Sequence, residues 1–153
     1  MARNAPRPAF DEVIHAPHRL RICVMLAAVD SMDFAAIRDE LVAMADAAHA
    51  RGQLVAGYGV SVGTTTLLPQ FGLENKIDFL VDDDPNKGKV MAGPGYDIPI
   101  LPPAALYERK PAFVVVFAWR YVDPIRAKHA RYFAEGGKFV VPLPGISVVD
   151  RAD

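Results

Sequence analysis

Gly57, Gly59 and Gly63 punctuate the run GYGVSVGTTT, which also carries Tyr58, Ser61, Thr64, Thr65 and Thr66. The run follows Leu54-Val55-Ala56 and precedes Leu67-Leu68, which reads as a strand, a glycine-rich turn and a helix start. Such a turn lets main-chain N–H groups approach a phosphate at a helix N-terminus. The hydroxyls add donors there, although capping the helix needs only one of them. The glycine spacing is GxGxxxG rather than GxGxxG, and the absence of a lysine excludes a P-loop. A second short apolar run ends in Asp82-Asp83-Asp84. An acidic residue at a strand tip can hold ribose hydroxyls, or a metal. It equally suits a solvated turn before Pro85, and Lys87 and Lys89 oppose a metal. Trp119-Arg120 follows the apolar run 113–118, at the strand end where open α/β sheets carry ligands. The indole can stack on a base or sugar and the guanidinium can meet a phosphate. The alternative is a Trp closing the sheet beside a solvated Arg.

The candidate ligand-binding residues are thus Gly57, Tyr58, Gly59, Ser61, Gly63, Thr64, Thr65, Asp82, Asp83, Trp119 and Arg120. No catalytic residue can be assigned and no metal site is expected. The four histidines, His15, His18, His49 and His129, lack zinc-ligand spacing. His49 and His129 fall on predicted helices and are expected at the surface. Tyr58 and Tyr96 flank the loops, where each can donate to a ligand or simply be buried.

These residues need a scaffold. Residues 1–8 read as a tail, and a helix is expected from Pro17 through Leu20, Cys23, Val24 and Ala27. Ser31 is placed to cap a long helix with Phe34, Ile37, Leu41, Met44 and Ala48 on one face, ended by Gly52. Strands are expected at 53–56, 77–81, 113–118 and 139–141. Helices are expected at 64–71, with a kink at Pro69, and at 104–109 and 121–135. Residues 82–103, rich in Pro and Gly, read as a loop. Strands separated by helices imply right-handed crossovers. The expected fold is α/β: a Rossmann-like parallel sheet of about four to five strands flanked by helices. An N-terminal helical extension (1–33) precedes it, and the sheet domain runs over 34–153.

The chain has 153 residues, enough for one ordinary domain. Its net charge of −1 provides no field to draw it to nucleic acid or a membrane. The single cysteine, Cys23, excludes an internal disulfide and reads as a buried small hydrophobe. Residues 22–29 are too short an apolar run to span a bilayer. No signal peptide is read, so a cytoplasmic location is the default expectation.

Several blocks together carry a family likeness. They are Gly57-Tyr58-Gly59, Gly63 to Leu68, Gln70-Phe71, Asp82-Asp83, Pro94-Gly95, Ile98-Pro99-Ile100, Phe117 to Arg120 and Gly136 to Pro144. Over residues 34–149 the chain resembles the C-terminal domain of sugar C-methyltransferases and related class I methyltransferases. The resemblance implies a Rossmann-like domain that packs against a separate S-adenosylmethionine-binding domain and helps hold a nucleotide-sugar. The family's methyl-donor domain, acid/base residues and zinc module would lie upstream. The chain alone is therefore expected to bind no cofactor, and S-adenosylmethionine is implied only for the full-length family. Expected partners are a nucleotide-sugar or similar phosphorylated molecule, a methyltransferase subunit, or a second copy of the chain. Pro69, and Asp84 where the family often shows Asn, depart from the pattern.

The stretch from Phe10 to Ile22, continuing to Leu41, is similar to the opening helices of winged-helix transcription regulators. No recognition helix follows, so nothing is available to enter a major groove. Three readings stand: a substrate-binding domain of methyltransferase type, a winged-helix-derived DNA-binding regulator, and a non-catalytic interaction or oligomerisation domain.

Overall fold

The structure, a computed structural model, describes residues 31–151. The chain divides into two units, 1–34 and 35–153, and the second holds the sheet. The expected helix from Pro17, the apolar run 22–29 and most of the winged-helix-like stretch lie outside the described residues.

Helix α1 (Ser31–Ala50) enters the domain. Ile37, Leu41, Ala45 and Ala48 are its buried residues, a spacing that gives one apolar face. Gly52 ends the helical stretch at φ 70°, its N–H donating to the His49 carbonyl at 2.8 Å. Strand β1 (Val55–Tyr58) follows, then α2 (Val62–Gln70), β2 (Phe79–Val81), β3 (Val90–Gly93) and β4 (Tyr96–Leu101). Next come α3 (Ala105–Arg109), β5 (Phe113–Val116), a 3₁₀ turn (Trp119–Tyr121), α4 (Val122–Lys128), α5 (Ala130–Ala134), β6 (Phe139–Val141) and β7 (Ser147–Val149).

The seven strands form one sheet in the order β3-β4-β2-β1-β5-β6-β7. Its five central strands, β4, β2, β1, β5 and β6, are parallel, and β3 and β7 are antiparallel edges. The α/β class therefore holds, with more strands than expected. Residues 82–103 are not simply a loop. They contain the β3–β4 hairpin, in which Pro99 stands opposite Val90. The prolines and glycines hid its period-two pattern. Strand β1 also runs two residues past the expected end, so Gly57 and Tyr58 are strand residues. The expected helix 121–135 is broken at His129 into α4 and α5.

The strand order reverses between β1 and β5. The crossovers from β1 to β2 and from β4 to β5 run in opposite directions, so right-handedness sends their helices to opposite faces. One face packs Ala56, Tyr58, Phe79, Val81, Val114, Val116 and Phe139 against Leu106, Ile125, Tyr132 and Phe133 from α3, α4 and α5. By alternation Val55, Gly57, Leu80, Val115 and Val140 face the other way, and they too are buried. Contacts pin α1 at the opposite end of the strands: His49 Nε2 lies 3.0 Å from Asp78 Oδ2, which also accepts the Val55 N–H at 2.7 Å.

Candidate functional site at the carboxyl edge

The sheet brings most of the sequence-predicted residues to one edge. Tyr58 and Gly59 close β1, Asp82 and Asp83 follow β2, and Ser61 to Thr65 open α2. Trp119 and Arg120 form the turn after β5, with the Arg120 guanidinium 5.3 Å from the indole ring centre. This is the topological switch point, where open α/β sheets hold ligands.

The bend itself is largely satisfied from within. Gly59 N–H donates to the Val81 carbonyl at 2.8 Å, and Val60 N–H to Asp82 Oδ2 at 2.6 Å. Ser61 and Thr64 form a capping box: Ser61 N–H donates to Thr64 Oγ1 at 3.2 Å, and Thr64 N–H to Ser61 Oγ at 3.4 Å. The buried Thr64 hydroxyl donates to the Gly59 carbonyl at 2.7 Å. Thr65 Oγ1 donates to the Val62 carbonyl at 2.7 Å. Among the described residues, no protein acceptor meets the N–H groups of Val62 and Gly63, the first two positions of α2. A helix start leaves such donors unpaired.

Gly57 and Gly59 have packing roles. A methyl group on Gly57 would fall 2.6 Å from Leu80 and from Phe117, so the side chains of two neighbouring segments fill the space. Gly59 sits at φ 95°, and a methyl group there would lie 2.7 Å from the Ala118 side chain. At Gly63 the nearest atom to such a methyl is Ser61 Oγ, 3.4 Å away, so this position is open to an approaching group.

Asp82 braces the edge. One oxygen accepts Val60 N–H, and the other accepts Asp84 N–H at 2.9 Å. Asp84 in turn accepts the Asn86 N–H and side-chain amide, at 2.9 and 3.0 Å, and these bonds hold its carboxyl below the usual range. Of the three carboxylates only Asp83 engages a distant helix, through an ion pair with Lys128 at the end of α4.

Beneath that pair lies a layer the sequence reading missed. His129, expected at the surface, is 2% exposed. Its Nε2 lies 3.0 Å from the Tyr58 hydroxyl and its Nδ1 2.9 Å from the Tyr107 hydroxyl. A neutral imidazole donates at one nitrogen and accepts at the other, so the tautomer of His129 sets the direction of both bonds. The chain Tyr107, His129, Tyr58 runs from α3 to the end of β1, where the Asp83 carboxylate acts electrostatically on the Tyr58 hydroxyl. Burial holds His129 below its ordinary value and outweighs the opposing pull of Asp83, with Lys128 adding to the lowering. Burial also pushes the Tyr58 hydroxyl well above its ordinary value, helped by Asp83. Burial alone would raise Asp83, but Lys128 and Tyr58 beside it bring it below the usual carboxylate range. A sequence signal for the layer existed: Ile125, His129, Tyr132 and Phe133 are spaced as one helical face, which places the His with the core residues.

No group of three or more His, Cys, Asp or Glu among the described residues could hold a metal ion. None of the described helices is long and apolar enough to cross a membrane.

Residues 31–144 match the family described as the C-methyltransferase C-terminal domain. The chain belongs to this family. It is also 34% identical over 102 residues to the C-methyltransferase NovU of Streptomyces niveus. That match covers 65% of this chain and 24% of the relative, so the chain corresponds to about a quarter of that protein's length. At the carboxyl edge of this C-methyltransferase C-terminal domain, the open donors of α2 stand beside partly exposed polar side chains.

Proposed function

We propose that this domain serves a C-methyltransferase by holding a nucleotide-sugar, or a closely related phosphorylated sugar, at the carboxyl edge of its sheet. The observation that carries the reading is the pair of unpartnered amides, Val62 and Gly63, at the start of a nine-residue helix beside the switch point. Helix N-termini attract phosphate through such donors and through the helix dipole. The opening beside Gly63 leaves room for the pyrophosphate. Trp119 and Arg120 border the same edge and suit a base or sugar ring. Gly57, Gly59, Thr64 and Asp82 support the edge rather than touch the ligand, because packing and internal bonds already occupy them.

The methyl donor belongs, in this reading, to another part of the enzyme. S-adenosylmethionine would need free amides along the bend and a free carboxylate at the tip of β2. Gly59, Val60 and Ser61 are internally bonded and Asp82 is committed to two main-chain N–H groups. Two exposed large apolar side chains, Val62 and Tyr121, flank the edge and favour its being covered by a neighbouring domain or subunit.

Calorimetric titration of the chain with uridine diphosphate glucose and thymidine diphosphate glucose tests the reading. Saturable binding that Gly63→Pro weakens is expected, because that substitution removes one of the two donors. An absence of heat and of any melting shift with both compounds would overturn it.

A further inference from the structure

The ion pair between Asp83 and Lys128 crosses the switch point. Asp83 comes from the end of β2, Lys128 from the helix that follows β5, and Tyr58 at the end of β1 lies beneath them. Their side chains are 41% and 53% exposed, whereas Tyr58 and His129 are each 2% exposed. An exposed ion pair contributes little to stability and requires no buried support. Here three polar ring side chains, Tyr58, His129 and Tyr107, form a hydrogen-bonded chain behind the carboxylate. Burying such groups is costly unless each is satisfied, and a satisfied network fixes geometry. Lys128 engages one oxygen of Asp83, and the partly exposed carboxylate retains lone pairs toward solvent.

We propose that Asp83 and Lys128 form a subsite for sugar hydroxyls, with Tyr58 and His129 as positioning residues that fix the carboxylate. This rests on the nucleotide-sugar reading given above. The carboxylate accepts from a hydroxyl, and the ammonium donates to the oxygen of the same or the adjacent one. A vicinal diol fits both charges at once. The ligand supplies such a diol from one of two sources, the ribose of its nucleotide or the hexose.

The test compares binding of uridine diphosphate, uridine diphosphate glucose and thymidine diphosphate glucose by the full chain and its Asp83→Asn, Lys128→Met and Tyr58→Phe variants. Asp83 and Lys128 are surface side chains, so melting midpoints near the wild type are expected for their variants. Uridine diphosphate offers only the ribose diol, and thymidine diphosphate glucose only the hexose. Asp83→Asn is expected to weaken about tenfold the compounds that carry the recognised diol. A loss confined to the uridine compounds assigns the ribose; a loss confined to the glucose compounds assigns the hexose. Tyr58→Phe is expected to reproduce part of that loss with the same selectivity, which a general loosening of the fold would not do. Wild-type affinity of Asp83→Asn and Lys128→Met for all three compounds would overturn the subsite while leaving the nucleotide-sugar reading standing. Failure of the wild-type chain to bind any of them would remove both.

Discussion

The β1–α2 bend and the α4–α5 break are both turns at the carboxyl edge, yet they satisfy their polar atoms over different distances. In the bend, Ser61, Thr64 and Gly59 bond one another within five residues, and Asp82 supplies the main long-range brace. At the break, His129 meets partners 71 and 22 residues away in the chain. The bend is conspicuous in the sequence because its glycines and hydroxyls are clustered, and that clustering reflects packing and capping as much as recognition. The break has no comparable motif, yet it places a titratable ring in the core. Local spacing therefore identified the turn, while tertiary convergence created the polar network.

Substitutions can sharpen that contrast. The largest effect is expected from Gly57→Ala, which forces a methyl group into Leu80 and Phe117. A loss of about 3 kcal/mol is expected in guanidinium unfolding. A loss below about 0.5 kcal/mol would show that the two neighbours move aside and that the glycine is there for another reason.

His129→Leu comes next, at about 2 kcal/mol, because it strips a partner from two tyrosine hydroxyls. The half-buried Tyr107 can turn to water, which limits the cost. The same variant carries a pH signature. The folded chain holds His129 below its unfolded value, so acidification protonates the unfolded chain first. Stability from this group is complete above about pH 6.5 and declines as pH falls below it. Unfolding measured from pH 7.5 to 5 should fall less steeply in His129→Leu than in the wild type. Parallel curves would show that His129 titrates as it does in the unfolded chain.

The smallest effect belongs to Ser61→Ala, which removes the cap of α2. About 1 kcal/mol is expected by the same unfolding measurement. A larger loss would mean that the capping box supports more of the bend than its own two bonds.

Much of the architecture was legible because its signals are local. The apolar run of β5, the helical spacing of Ile37, Leu41 and Ala48, and Gly52 at a helix end each follow from neighbouring residues. The family likeness was legible for the same reason, through ordered blocks of glycine, proline and apolar residues. The β3–β4 hairpin was not, because Pro94, Pro99 and the surrounding glycines read as loop, while pairing of β4 with β2 and β3 makes 90–93 and 96–101 sheet, with Pro94 and Gly95 as the turn. Strand β7 was missed because only three residues pair, two of them exposed. At the candidate site the sequence identified Tyr58 but not its buried partner. That partner, His129, sits at the α4–α5 junction and Tyr107 behind it on α3, so the network depends on helix placement, which the crossover hand sets.

Asp82 has a mechanical consequence. By gripping Val60 with one oxygen and Asp84 with the other, it fastens the loop after β1 to the loop after β2. The two loops must shift as one lip, and hydrogen exchange at those two amides should be slow together. A guest reaching that lip finds its shape already set, so little ordering entropy is lost on docking.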